Sequence, residues 1–188
     1  MKIIYSILII FEKTTNEKNM NITLIGMSGV GKTTIGKLLS KKLGYGFVDV
    51  DDLIKKRIGM SLQSFIDNSG DAAFLELEEQ VVLDLEPLES CIIATGGSMI
   101  YSEVAMEHLR SISTVVYLDA PFGWIARRID PSKRGVVGLK DKSLKELYHE
   151  RKVLYEKYLD VHIKIEKGER KSAIADRIIA ICFKKNGS

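Results

Sequence analysis

Gly26-Met27-Ser28-Gly29-Val30-Gly31-Lys32-Thr33 is the stretch that decides how this chain folds. Its spacing, G-x-x-x-x-G-K-T, is that of a phosphate-binding loop, and the flanks have the required character. Before it, Ile22 to Ile25 is a short apolar run of strand type; after it, Thr33 to Leu43 has helical periodicity and stops at Gly44. The glycines let successive backbone N–H groups turn toward a phosphate, and the start of the next helix adds its positive dipole end. Gly26, Met27, Ser28, Gly29, Val30, Gly31, Lys32, Thr33 and Thr34 are therefore the expected nucleotide contacts. Lys32 should reach the β- and γ-phosphates, and the Thr33 hydroxyl should ligate Mg²⁺.

Outward from this loop, apolar runs alternate with amphipathic stretches. Phe47–Val50, Cys91–Thr95, Thr114–Leu118 and Val161–Ile165 read as further strands. Helices fit Asp52–Ile58, Ser61–Asn68 with Gly70 as its stop, Ala72–Leu85, Ser102–Arg110, Phe122–Ile129, Ser143–Tyr158 and Lys171–Phe183. Five short apolar strands joined by helices predict an α/β fold, a five-stranded parallel sheet between two helical layers. The one aperiodic stretch, Asp130 to Lys142, is basic and contains glycine, which fits a solvated connection or a lid.

Composition narrows the class. With 188 residues, 45% hydrophobic and 28% charged, the chain suits one domain with an ordinary core and excludes a disordered tail. No run of about 20 apolar residues marks a membrane helix. Twenty-eight Lys and Arg against 25 Asp and Glu leave +3, which gives no case for a nucleic-acid partner. Cys91 and Cys182 lie in apolar runs away from any metal-type spacing, as expected of buried reduced thiols in the cytoplasm. Residues 1–19 resemble a signal peptide in miniature but lack a small-residue cleavage site, so Met20 is expected to be the initiator, with the domain spanning 20–188. There is no Asn-Lys-x-Asp guanine motif. A compact phosphate-loop domain with a basic loop points to phosphoryl transfer onto a small acceptor.

From Met20 to about Ile179 the chain resembles the shikimate kinase family, in the nucleoside-monophosphate-kinase branch of P-loop folds. The carriers are the phosphate loop, Phe47-Val-Asp49-Val-Asp51-Asp-Leu-Ile54, Gly59-Met-Ser61, Ala94-Thr-Gly96-Gly97, Val116-Tyr-Leu118-Asp119, Arg134, and Glu150-Arg151 through Tyr155. The resemblance implies an ATP- and Mg²⁺-dependent enzyme of aromatic amino acid biosynthesis, a cytoplasmic monomer converting shikimate to shikimate 3-phosphate. It gives Asp49 to the hydrated metal and Asp51 to the acceptor hydroxyl as its base. Period two along a strand would put both on one side; the competing reading makes them loop acids capping the next helix, a role that suits Asp52 better. Gly96 and Gly97 would offer backbone contacts to the acceptor, or simply turn the chain. Arg134 resembles the lid arginine that closes over the transferring phosphate. Arg127, with Arg128 as its rival, stands where the family meets adenine. Arg151 resembles the clamp on the acceptor carboxylate, against a plain surface pairing with Glu150 or Tyr155. Asp119 can mimic a Walker B acid, but the family pattern makes it structural.

Four departures crowd the acceptor side. Leu75 replaces the arginine of the main carboxylate clamp, Ile66 an aromatic, Ser98 the last glycine of a triple, and Gly135-Val136-Val137 the residues after the lid arginine. Arg57 is the candidate substitute for the lost clamp. Two alternatives stay open beside shikimate: a kinase for another small alcohol, and an ATP-binding regulatory module without turnover.

Overall fold

A computed structural model describes residues 20–85, 88–129 and 135–183. The expected extension, residues 1–19, and the lid arginine, Arg134, lie outside the described residues. Five parallel strands, β1 (Asn21–Ile25), β2 (Gly46–Asp49), β3 (Cys91–Ala94), β4 (Ser113–Asp119) and β5 (Val161–Lys164), form one sheet in the order β2-β3-β1-β4-β5. The helices are α1 (Lys32–Leu43), α2 (Val50–Ile58), α3 (Leu62–Leu83), α4 (Glu103–Ile112), α5 (Phe122–Ala126), α6 (Leu144–Tyr158) and α7 (Lys171–Phe183), with a 3₁₀ turn at Met99–Tyr101. None of them is long and apolar enough to cross a membrane.

The sheet is sandwiched, so its central strands have no polar face. In β1, Ile22, Leu24 and Ile25 are all fully buried, each contributing about 1.5–3 kcal/mol by burial. Asn21 opens that strand and is itself buried. Its amide donates to the carbonyls of Leu88 (2.7 Å) and Ile112 (3.0 Å) and accepts from Cys91 N–H (3.0 Å), which ties the amino edge of the sheet. Helix α6 starts on a capping box: Ser143 Oγ accepts from Glu146 N–H, and the Glu146 carboxylate accepts from Ser143 N–H. Such a cap contributes about 1 kcal/mol.

Several boundaries differ from the sequence reading. Strand β2 ends at Asp49 and α2 begins at Val50, because the Asp49 carboxylate caps the helix by accepting from Asp51 N–H at 3.1 Å. Asp51 therefore sits in the first helical turn, and strand periodicity does not align the two acids; the capping role falls to Asp49, not Asp52. The break expected at Gly70 is present: α3 is two helical segments that meet at a kink there, with Gly70 non-helical at φ 84°, ψ 169°. Helix α5 stops at Ala126, three residues short of the predicted end. Both cysteines are free thiols; Cys91 is buried, whereas Cys182 is only half-buried.

Candidate functional site

Strands β1, β2 and β3 deliver their carboxyl ends to one cleft of about 370 Å³, where a parallel sheet of this kind binds ligands. Ser28, Lys32, Thr33, Asp51, Gly97 and Arg128 are among its lining residues. The loop between β1 and α1 is shaped by close approach. Gly26 has φ +141°, and a Cβ there would stand 2.6 Å from the carbonyl oxygen of Leu118 on β4, so only glycine fits. Met27 and Val30 bury their side chains in the core and so can meet a ligand only through backbone. Lys32 is 8% exposed, its ammonium donating to the carbonyls of Gly26 (2.5 Å) and Met27 (3.2 Å). A cation held over the loop mouth, with N–H groups around it, fits a polyphosphate.

Beside it, Thr33 Oγ1 donates to Asp49 Oδ2 at 2.7 Å. One hydroxyl and one carboxylate are hard oxygen donors, the kind Mg²⁺ takes when substrate phosphates and water supply its remaining ligands. Asp51 faces the same cleft and also a second, smaller one shared with Asp49, Ser61 and Gly135.

The turn after β3 forms the opposite wall. A Cβ on Gly97 would stand 2.6 Å from Ser28 Oγ, so this turn packs directly on the phosphate loop. The Gly97 carbonyl accepts from Tyr155 Oη at 2.6 Å and from Arg151 Nη1 at 3.2 Å. Arg151 is 1% exposed, which removes the surface-pair reading. Its Nη2 donates to the Val137 carbonyl (2.7 Å), and its Nε to Tyr101 Oη (3.3 Å). Burial holds the Tyr155 phenol well above its ordinary range, so Tyr155 keeps its proton as a donor.

Other expected residues are placed as follows. Arg128, stacked 3.9 Å over the Trp124 ring, lines the cleft, and Arg127 is exposed and does not. Arg57 is occupied on the surface by Asp84 at 2.6 Å, so it does not replace the missing clamp. Asp119 is tied to Lys152 (3.2 Å) and His162 (3.1 Å). The described part of the expected lid is anchored: Gly138 N–H donates to Asp71 at 2.6 Å, Val136 and Val137 are buried, and Lys142 pairs with Glu150.

Two residues escaped the sequence reading. Lys171, at the start of α7, lines the cleft beside Gly31. Glu78 is buried on α3 and accepts from Ser98 Oγ at 2.7 Å. Its signal was present: Phe74, Glu78 and Val82 share a helical face, and a carboxylate on an apolar stripe needs a reason.

A family model described as shikimate kinase matches residues 28–182. The chain belongs to the shikimate kinase family. A shikimate kinase of Nostoc punctiforme is 37% identical over 168 residues, spanning 87% of this chain and 91% of that one. The Aquifex aeolicus shikimate kinase is 38% identical over 149 residues, 79% and 88% of the two chains. Among solved structures, shikimate kinase from Acinetobacter baumannii in complex with shikimate superposes with a TM-score of 0.83 at 27% identity, covering 92% of this chain and 98% of that one. The crystal structure of the Aquifex aeolicus shikimate kinase gives 0.74 at 32% identity, covering 89% and 98%. The five-stranded parallel sheet with its flanking helices is the shikimate kinase fold.

Proposed function

We propose that this chain transfers the γ-phosphoryl group of ATP to a hydroxyl of shikimate, as a cytoplasmic monomer. The observation that carries it is convergence: the phosphate loop, Asp51 and the Gly97 turn held by Arg151 meet at one cleft in a shikimate kinase-family chain. Lys32 and the loop N–H groups bind and neutralise the polyphosphate. Thr33 and Asp49 would hold Mg²⁺, which when bound draws charge from the phosphate oxygens. Asp51 orients the acceptor hydroxyl and takes its proton as the new bond forms. Arg151 meets the acceptor carboxylate, Gly96 and Gly97 contribute backbone contacts, and Arg134 closes over the transferring phosphate.

Arg128 is the better placed partner for adenine, since its guanidinium is already held over an aromatic ring at the cleft wall. Arg128→Ala should raise the KM for ATP roughly five- to tenfold, more than Arg127→Ala does. Steady-state kinetics on the two variants checks this, and the reverse order would move the adenine to Arg127.

Leu75 favours one competing reading, a kinase for a less acidic alcohol. It is partly buried against the core on α3, where no guanidinium meets a carboxylate. A coupled ADP-release assay with shikimate and a panel of hydroxy acids and polyols separates the readings. Turnover with shikimate supports the proposal; turnover only with another alcohol defeats it. Leu75→Arg should lower the shikimate KM by about tenfold or more, one charge-assisted contact being worth ~1.5–3 kcal/mol.

A further inference from the structure

Glu78 takes no part in the phosphate chemistry, yet it is 1% exposed and stands against the acceptor wall. Its Oε2 accepts from Ser98 Oγ at 2.7 Å. Its Oε1 has no hydrogen-bond partner among the described residues. Gly96 separates that oxygen from the acceptor base. A Cβ on Gly96 would overlap Glu78 Oε1 and would stand 3.1 Å from Asp51 Oδ1. The absent side chain is what lets two carboxyl groups approach the same point from α3 and α2. Among the described residues, the titratable groups that act on Glu78 are Asp51 from α2, Arg151 and Tyr155 from α6 and Lys32 from α1. Its own helix offers no cation one turn earlier, where Leu75 stands.

We propose that Glu78 is a positioning residue whose protonation state sets the affinity for an anionic acceptor, with Ser98 fixing the pH at which the change occurs. The inference rests on the shikimate reading above. With Glu78 neutral, the two cations Arg151 and Lys32 outnumber the one carboxylate, Asp51, and a carboxylate acceptor is drawn in. Ionised Glu78 adds a second negative charge beside Asp51, opposing the incoming anion and competing for the Arg151 field. Inside a closed cleft such charges are weakly screened. Burial pushes the Glu78 carboxyl up to about 7; the Ser98 hydrogen bond pulls it down, Asp51 raises it, and Arg151 and Lys32 lower it. The transition therefore falls in the working range of a cytoplasmic enzyme.

The test is acceptor KM against pH, from about pH 6 to about pH 8.5 with ATP saturating throughout, for wild type, Glu78→Gln and Ser98→Ala. Wild type should show an acceptor KM that rises roughly fivefold or more through neutrality, with kcat varying much less. Glu78→Gln should give a flat, low KM. Ser98→Ala removes a bond that favours the carboxylate, so its inflection should move to higher pH. A merely structural Ser98 would not shift that inflection. A flat wild-type profile, an unaltered profile in Glu78→Gln, or an unmoved inflection in Ser98→Ala would overturn the inference. Absence of any shikimate turnover would instead defeat the proposed function. In that event the carbon-13 shift of the Glu78 carboxyl in labelled wild type and Ser98→Ala decides. A titration near neutrality that rises in Ser98→Ala sustains the pair, and ionisation below about pH 5 in wild type overturns it. Should Glu78→Gln not fold, Ser98→Ala and the labelled wild type carry the same test.

Discussion

Lys32→Ala should lower kcat by about a thousandfold, the loss expected when a preorganised charge is removed from a developing anion. Lys32 is 8% exposed and its ammonium is already over the loop, held by the carbonyls of Gly26 and Met27. No rearrangement of the backbone is needed to bring it to a phosphate; the side chain exchanges two carbonyls for stronger anionic partners. Two hydrogen bonds to the loop are lost in the variant, each contributing about 1 kcal/mol. Folding should therefore survive with a modestly lowered Tm. Single-turnover kinetics beside a thermal melt checks both halves. A variant with kcat within about tenfold of wild type would remove Lys32 from the chemistry.

Glu78→Gln should change the pH dependence of stability more than any other single substitution considered. The folded carboxyl titrates at about 7 against an ordinary 4.5. The raised value means the folded state favours the proton. Its stabilising contribution is complete below the unfolded value and is lost as pH rises through the folded one. A shift of this size corresponds to about 3 kcal/mol. Wild type should therefore lose stability relative to Glu78→Gln between about pH 4.5 and about pH 8. Other titrating groups are common to both proteins and drop out of the difference. Urea unfolding at a series of pH values measures it. A constant gap between the two curves would mean that Glu78 ionises normally while folded.

The parts of this molecule legible in its sequence are those set by neighbours along the chain. Spacing within the phosphate loop dictates where N–H groups and Lys32 converge, and apolar runs such as Ile22–Ile25 fix the buried strands. At Asp49 the strand ends one residue and the helix starts two residues earlier than the sequence suggests, because helix capping and strand periodicity compete there, and the cap prevails. The rival arginines Arg127 and Arg128 are adjacent in sequence; the Trp124 ring distinguishes them, because only Arg128 lies four residues on, the spacing that brings side chains together on a helical turn. Glu78 was missed because its burial depends on Gly96 in another element having no side chain. Leu75 and Ser98 were visible as departures, but their consequence for a carboxyl on α3 required the packing.

Arg151 has consequences for how the acceptor binds. Among the described residues, every hydrogen bond it makes ends on a neutral oxygen, two backbone carbonyls and a phenol. A carboxylate that engages this guanidinium thus substitutes for ligands already in place, and the affinity gained is a difference between two sets of bonds. One of those carbonyls belongs to Val137, in the anchored part of the expected lid, and the other to Gly97 beside the phosphate loop. An acceptor oxygen that displaced either one would free a strut that now ties the Val137 stretch to the Gly97 turn.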